Sequence, residues 1–68
     1  MKLNEYIKRN NYTQAAFIVE IERETGHKLP QGTLAKYILS QRIPRKKELN
    51  IIYKTTKGLV TPNDFYLE

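Results

Sequence analysis

Apolar residues recur three and four positions apart at three places in the chain: Leu3/Tyr6/Ile7, Leu34/Tyr37/Ile38 and Leu49/Ile52/Tyr53. That spacing puts each trio on one face of a helix, able to dock on a core. The first trio predicts a helix from about Lys2 to Arg9, released at Asn10-Asn11, residues that tolerate turn conformations. A second helix is predicted from Thr13, a good N-cap, to just before Gly26. Its run Ala15-Ala16-Phe17-Ile18-Val19, followed by Ile21, is apolar around most of the circumference and marks it as the central, most buried helix. Glu20, Glu22 and Glu24 are expected to face water at its far end. Gly26 to Leu29 then connects to a third helix. Pro30 suits its first turn, where the N–H that proline lacks has no partner anyway.

The third helix is predicted to end near Ser40-Gln41, because Ile43-Pro44 breaks the chain; the residue before a proline resists the helical region. A fourth runs from about Arg45 to Thr55 and is stopped by Gly58. Thr61-Pro62-Asn63-Asp64 reads as an N-capped single turn that sets Phe65 and Tyr66 against the bundle. The fold expected is all-α, a compact domain of four to five helices, with residues 1–68 forming one unit that contains no linker or low-complexity stretch.

Length narrows what such a domain can do. A chain of 68 residues buries only about 60% of its unfolded surface, so stability is expected to be marginal unless the chain pairs with another. A deep pocket enclosed by its own core is not expected, and neither is a small-molecule ligand. With no cysteine, neither disulfides nor thiolate metal sites hold it together, which fits a reducing cytosol. No apolar run follows Met1-Lys2, and none approaches the roughly 20 residues a membrane span needs. A soluble intracellular protein is the expectation.

Charge changes the picture more. The net charge is +5, but from His27 to Lys57 there are eight basic residues against one acid, Glu48, a local net of +7. This separation gives one side of a small domain a positive potential that attracts phosphate. The alternative is a solvated lysine face that serves solubility.

Within that basic region, the face of the third helix opposite Leu34, Tyr37 and Ile38 carries Gln31, Gly32, Ala35 and Lys36. Glutamine offers both a donor and an acceptor for a bidentate contact to an adenine edge in the major groove, and lysine offers donors to guanine or phosphate. Glycine and alanine between them let a backbone approach the groove floor. An ordinary exposed helix face is the competing interpretation.

The order of segments along the chain is informative. Tyr12-Thr13-Gln14-Ala15-Ala16 is followed by Gln31-Gly32-Thr33-Leu34-Ala35-Lys36-Tyr37-Ile38, then Arg42-Ile43-Pro44, then Ile52 to Tyr66 with its Gly58-Leu59-Val60-Thr61-Pro62-Asn63-Asp64-Phe65-Tyr66 ending. This order resembles a Cro-like helix-turn-helix repressor of the phage and xenobiotic-response-element family. The resemblance covers nearly the whole chain, and the Arg-Ile-Pro break combined with that ending is its most specific part. It implies that Gln14, with Thr13 beside it, binds a DNA phosphate at the start of the second helix, plain capping by these two residues being the alternative. It also implies that Gln31, Gly32 and Lys36, with Thr33 at the margin, read bases. Arg42, Arg45 and Lys47 occupy the region that touches the sugar-phosphate backbone in the family, and Lys28 joins them as a phosphate contact on its charge. Leu34 and Tyr37 map to core positions, as periodicity already indicates.

One departure stands out. Gln14 and Leu34 are 20 positions apart, more than a helical turn longer than the family's usual spacing. The extra residues lie within Val19 to Lys28, where they either lengthen the second helix or enlarge the loop holding His27 and Lys28. The general role is therefore expected more firmly than the map of base contacts.

Other chemistry has little to work with. His27 is the only histidine and has no Cys or patterned carboxylate partner, so no metal site or cofactor is expected. One His, one Asp (Asp64) and one Ser (Ser40) sit in separate segments with no motif around them, so the chain is not read as an enzyme. Five tyrosines invite base stacking, but Tyr6, Tyr37 and Tyr53 lie on apolar faces and are read as packed on the core with the hydroxyl at the rim. The partner expected is double-stranded DNA, bound by a homodimer across half-sites about one helical turn apart. Leu59 to Leu67, with Val60, Phe65, Tyr66 and Leu67, is either the dimer surface or a cover for the monomer core. The resulting expectation is a transcriptional repressor in the cytoplasm or nucleoid of a prokaryotic or phage-infected cell. Its rivals are a protein-interaction module, such as an antitoxin or accessory factor presenting Glu20, Glu22 and Glu24, and a non-specific nucleic-acid binder.

Overall fold

The chain folds into four α-helices and a closing 3₁₀ turn, as the computed structural model shows for residues 1–66: α1 (Leu3–Arg9), α2 (Gln14–Thr25), α3 (Gln31–Ile38), α4 (Lys46–Thr55) and the turn Pro62–Phe65. No strand occurs among the described residues. Thr13 starts α2 as its type suggests, its hydroxyl accepting the Ala16 N–H at 3.0 Å. Pro30 and Arg45 stand in extended conformation just outside α3 and α4.

Helices α1, α3 and α4 all end with a non-glycine residue in the left-handed region, at Asn11 (φ 56°), Ser40 (φ 60°) and Lys57 (φ 56°). Each such turn satisfies the last carbonyls with a pair of reversed bonds, from Asn11 to Lys8 and Tyr12 to Ile7, Ser40 to Tyr37 and Gln41 to Lys36, and Lys57 to Lys54 and Gly58 to Tyr53. The stop of α4 therefore falls at Lys57 rather than at Gly58. Gly58 continues the left-handed turn at φ 83°, where a Cβ would lie 3.4 Å from the Tyr53 ring. The end of α3 likewise comes at Ile38, earlier than Ser40-Gln41, because the Ser40 turn already reverses the chain. Only α2 ends on glycine, with Gly26 left-handed at φ 76° and its N–H donating to the Glu22 carbonyl at 2.8 Å. The residues that lengthen the Gln14 to Leu34 spacing are thus mostly helix: α2 runs 12 residues, and the connection after Gly26 is an irregular segment leading to Pro30.

Helix α2 packs against both α3 and α4, while α1 lies on α3 and the 3₁₀ turn lies on α4. Phe17, Ile21, Leu34, Ile52 and Val60 are almost wholly buried, and Leu3, Ile7, Leu29 and Tyr37 complete the same cluster. Tyr6, Tyr12 and Phe17 pack ring to ring at its α1 end. The Cα radius of gyration of 10.6 Å matches the roughly 11 Å expected of a folded chain this long.

Three apolar assignments need correction. Helix α2 is central, but only its Phe17/Ile21 stripe is covered; Ala15 and Ala16 are exposed and Val19 is 62% exposed. With only α3, α4 and part of α1 to cover it, a helix of so small a domain hides one face. Tyr53 is 47% exposed and lies against Gly58 at the rim rather than in the core. Phe65 packs edge-on against Tyr37, but Tyr66 is 52% exposed and does not cap the bundle. Glu20 does not stand free in water either, being half-buried and paired with Arg23.

Thr56 and Asp64 satisfy their polar atoms within the segment that ends the fold. Thr56, wholly buried, donates its hydroxyl to the Ile52 carbonyl at 2.8 Å and accepts the Val60 N–H at 3.1 Å, so it ties the end of α4 to the segment that follows. Asp64 organises the 3₁₀ turn by accepting from the Thr61 N–H (2.8 Å), the Thr61 hydroxyl (3.0 Å) and the Met1 ammonium (3.0 Å). Burial alone raises the affinity of this carboxyl for its proton, but those hydrogen bonds and the ammonium charge outweigh it and hold Asp64 below the ordinary carboxylate value. The Met1 ammonium also donates to the Leu59 carbonyl at 2.9 Å, which closes α1 onto the end of the fold.

Candidate nucleic-acid interface

The amphipathic pattern of α3 fixes which of its residues are free for other work. Leu34 is wholly buried, Tyr37 is 6% exposed, and Ile38 and Thr33 are half-buried, so the helix spends one face on the core. Gln31, Gly32 and Lys36 are exposed on the remaining arc, with Ala35 half-buried between them. Leu39, the residue after the helix, extends this arc at 64% exposure, and the sequence reading did not include it. A Cβ added at Gly32 would meet nothing within 4 Å. The fold itself therefore does not require glycine there.

The side of α3 carrying Thr33 forms the wall of a basic cleft. His27 and Lys28 from the α2–α3 connection and Arg42 and Arg45 from the α3–α4 connection line it together with Thr33 and Glu48. Three of the four expected phosphate-binding cations near α3 thus come together, although they belong to separate loops. Lys47, the fourth, lies in a neighbouring groove with Lys54, Glu24 and again His27. His27 stands between the two, a placement its isolation in the sequence did not indicate.

Glu48 is the single acid in the +7 segment. Its Oε1 is buried and has no hydrogen-bond partner among the described residues. Its charge acts on Tyr37, whose phenol is pushed above its ordinary value first by burial and then by the Glu48 carboxylate, against the opposing pull of Arg42 and Arg45. The cleft is thus a mixed electrostatic site, with one carboxylate among guanidinium groups. Its isolation among eight bases was the signal in the sequence.

A third surface lies on the other side of the α3 start. Ala15, Ile18 and Val19 of α2 line a mostly apolar groove together with Leu29, Pro30 and Gln31, and Glu22 and Lys28 add the charged groups of its lining. Gln31 therefore lies at the edge of an apolar surface and Thr33 at the edge of a basic one. Gln14 and Thr13, at the start of α2, line neither the basic cleft nor its neighbour. Thr13 has its hydroxyl engaged by Ala16, while Gln14 is half-buried at the first position of the helix.

Val60 and Phe65, expected at a dimer surface or over the core, belong to the monomer: Val60 is 1% exposed and Phe65 packs on Tyr37. Leu59 and Tyr66 remain exposed there, and Leu67 lies outside the described residues. No group of three or more His, Cys, Asp or Glu side chains is placed to hold a metal among the described residues. No helix among them is long and apolar enough to cross a membrane. Comparison of the chain with models of known protein families, with curated proteins and with solved structures finds no match.

Proposed function

We propose that this chain is a sequence-specific, double-stranded DNA-binding regulator, a Cro-type repressor that acts by occupying an operator in a prokaryotic or phage-infected cell. The observation that carries this reading is the exposed arc of α3. Gln31, Gly32 and Lys36 have no role in the core, and the helix that presents them is flanked by a cleft whose Lys28, Arg42 and Arg45 are in no ion pair among the described residues. In this reading α2 and α3 form a helix-turn-helix with a lengthened first member. Helix α3 enters the major groove, Gln31 and Lys36 address base edges, and Gly32 lets the backbone approach them. Gln14, at the positive end of the α2 dipole, and the cations around Arg42 to Lys47 bind the backbone. A single module buries little surface, so a homodimer on a two-fold site accounts best for tight binding.

Selection of bound duplexes from a random pool, followed by titration of the selected and a random duplex against salt, tests this. The expected result is a selected site bound at least about a thousandfold more tightly than random duplex at physiological salt. Equal affinity for both removes the repressor reading and leaves a non-specific binder whose +7 segment supplies electrostatics alone. Gln31→Ala is expected to cost about 1–3 kcal/mol on the selected site and to relax preference at one base pair. Unchanged selection by Gln31→Ala and Lys36→Ala together would remove α3 as the reader.

A second reading has one observation behind it, the apolar groove around Val19. An exposed valine beside Ala15 and Ile18 suits a protein partner, so a chain that binds no duplex at low salt is better read as an interaction module on the same scaffold.

A further inference from the structure

Two connections far apart in the sequence converge on one side of α3. Lys28 comes from the connection between α2 and α3, and Arg42 and Arg45 from the turn between α3 and α4, yet all three are exposed and line the same cleft. None of the three is ion-paired within the described residues. Glu48, on the inner wall, offsets only one of these charges. Cations that line one cleft repel one another, and an anion between them relieves that repulsion.

The donors suit one kind of anion. Two guanidinium groups offer paired N–H donors to tetrahedral phosphate oxygens, an ammonium adds a point charge, and the Thr33 hydroxyl and the His27 ring supply further hydrogen-bonding groups at the edge. We propose that this cleft takes a single phosphodiester of the DNA duplex, held from one side by His27 and Lys28 and from the other by Arg42 and Arg45. The inference rests on the DNA-binding reading above and adds to it a role for the connection that follows the long α2. That connection is part of the grip, bringing a second set of donors to a phosphate that the α3–α4 turn otherwise holds alone. Because the two loops flank α3, a phosphate shared between them fixes how deep the helix sits and how it is turned in the groove.

The test uses the selected duplex carrying one neutral methylphosphonate at a time along each strand, bound by the wild type, Lys28→Ala, Arg45→Ala and the double variant. Circular dichroism confirms that these exposed substitutions leave the fold intact. The expected result is one backbone position where neutralisation weakens the wild type about tenfold and weakens each single variant by less, at that same position. The double variant is expected to lose less than the product of the two single losses. Sensitivity of the two variants to different phosphates, or losses that multiply independently, overturns the shared site while leaving DNA binding standing. If the wild type binds neither the selected nor a random duplex, the DNA-binding reading itself fails and this inference falls with it.

Discussion

Replacing Gly32 with alanine separates what α3 does for the fold from what it does for a partner. Gly32 is the second residue of α3, it is exposed, and its φ is not in the left-handed region. A Cβ there meets nothing within 4 Å, so the methyl adds no clash. It removes backbone freedom from the unfolded chain and raises helix propensity, together worth about 0.5–1 kcal/mol at a helix interior and somewhat less in a first turn. In a domain this small, 1 kcal/mol moves the melting temperature by about 4–8 °C, so a rise of about 2–6 °C is expected. If the glycine is there for close approach to DNA, the same methyl stands between backbone and groove, and affinity for the selected duplex falls while the protein grows more stable. Thermal unfolding followed by circular dichroism, paired with fluorescence anisotropy on labelled duplex, reads both quantities from one preparation. A more stable Gly32→Ala protein with unchanged or tighter DNA binding refutes the placement of the α3 backbone against the groove. A less stable one refutes the account of the helix start.

Three further outcomes follow from the packing. Thr56→Val keeps the shape but leaves the buried Val60 N–H without its acceptor at 3.1 Å, so chemical denaturation is expected to show a loss of about 1–3 kcal/mol. Phe17→Ala empties the centre of the core at a cost of about 3–5 kcal/mol, enough to unfold much of a domain this small; Val19→Ser, two positions along the same helix but 62% exposed, is expected to stay within about 0.5 kcal/mol in the same assay. Asp64 has a lowered folded-state pKa, so its contribution is fully present above the unfolded value of 3.8 and is lost as pH falls through the lower folded value. Asp64→Asn is therefore expected to be less stable than the wild type at neutral pH and to converge with it in acid, and a stability gap that persists at the lowest pH would contradict the ionic account.

The helices themselves were legible because periodicity and capping agree. Leu34 with Tyr37 and Leu49 with Ile52 mark buried stripes, and Thr13 caps α2 through its hydroxyl. What misled was composition without a partner. Ala15, Ala16 and Val19 look like core, but burial depends on what lies opposite, and the helices packed on α2 cover only one of its faces. Tyr53 fits the spacing of its stripe yet turns to the rim, where Gly58 makes room for its ring. Of the candidate interface, Gln31, Gly32 and Lys36 were legible from α3 alone, since a helix with a known buried stripe has a known free face. The basic cleft was not, because it is assembled by two loops whose meeting depends on the packing of α2, α3 and α4.

The three helix ends at Asn11, Ser40 and Lys57 place ordinary residues in a backbone region that costs an L-amino acid about 1–2 kcal/mol relative to glycine. Asparagine bears this more easily than serine or lysine, so part of the domain's stability is held back at three exposed positions. These positions form a mutational reserve. A lineage of this chain that acquires costly changes on its recognition surface can recover stability by a single substitution to glycine at a helix end, leaving the surface that meets its partner untouched.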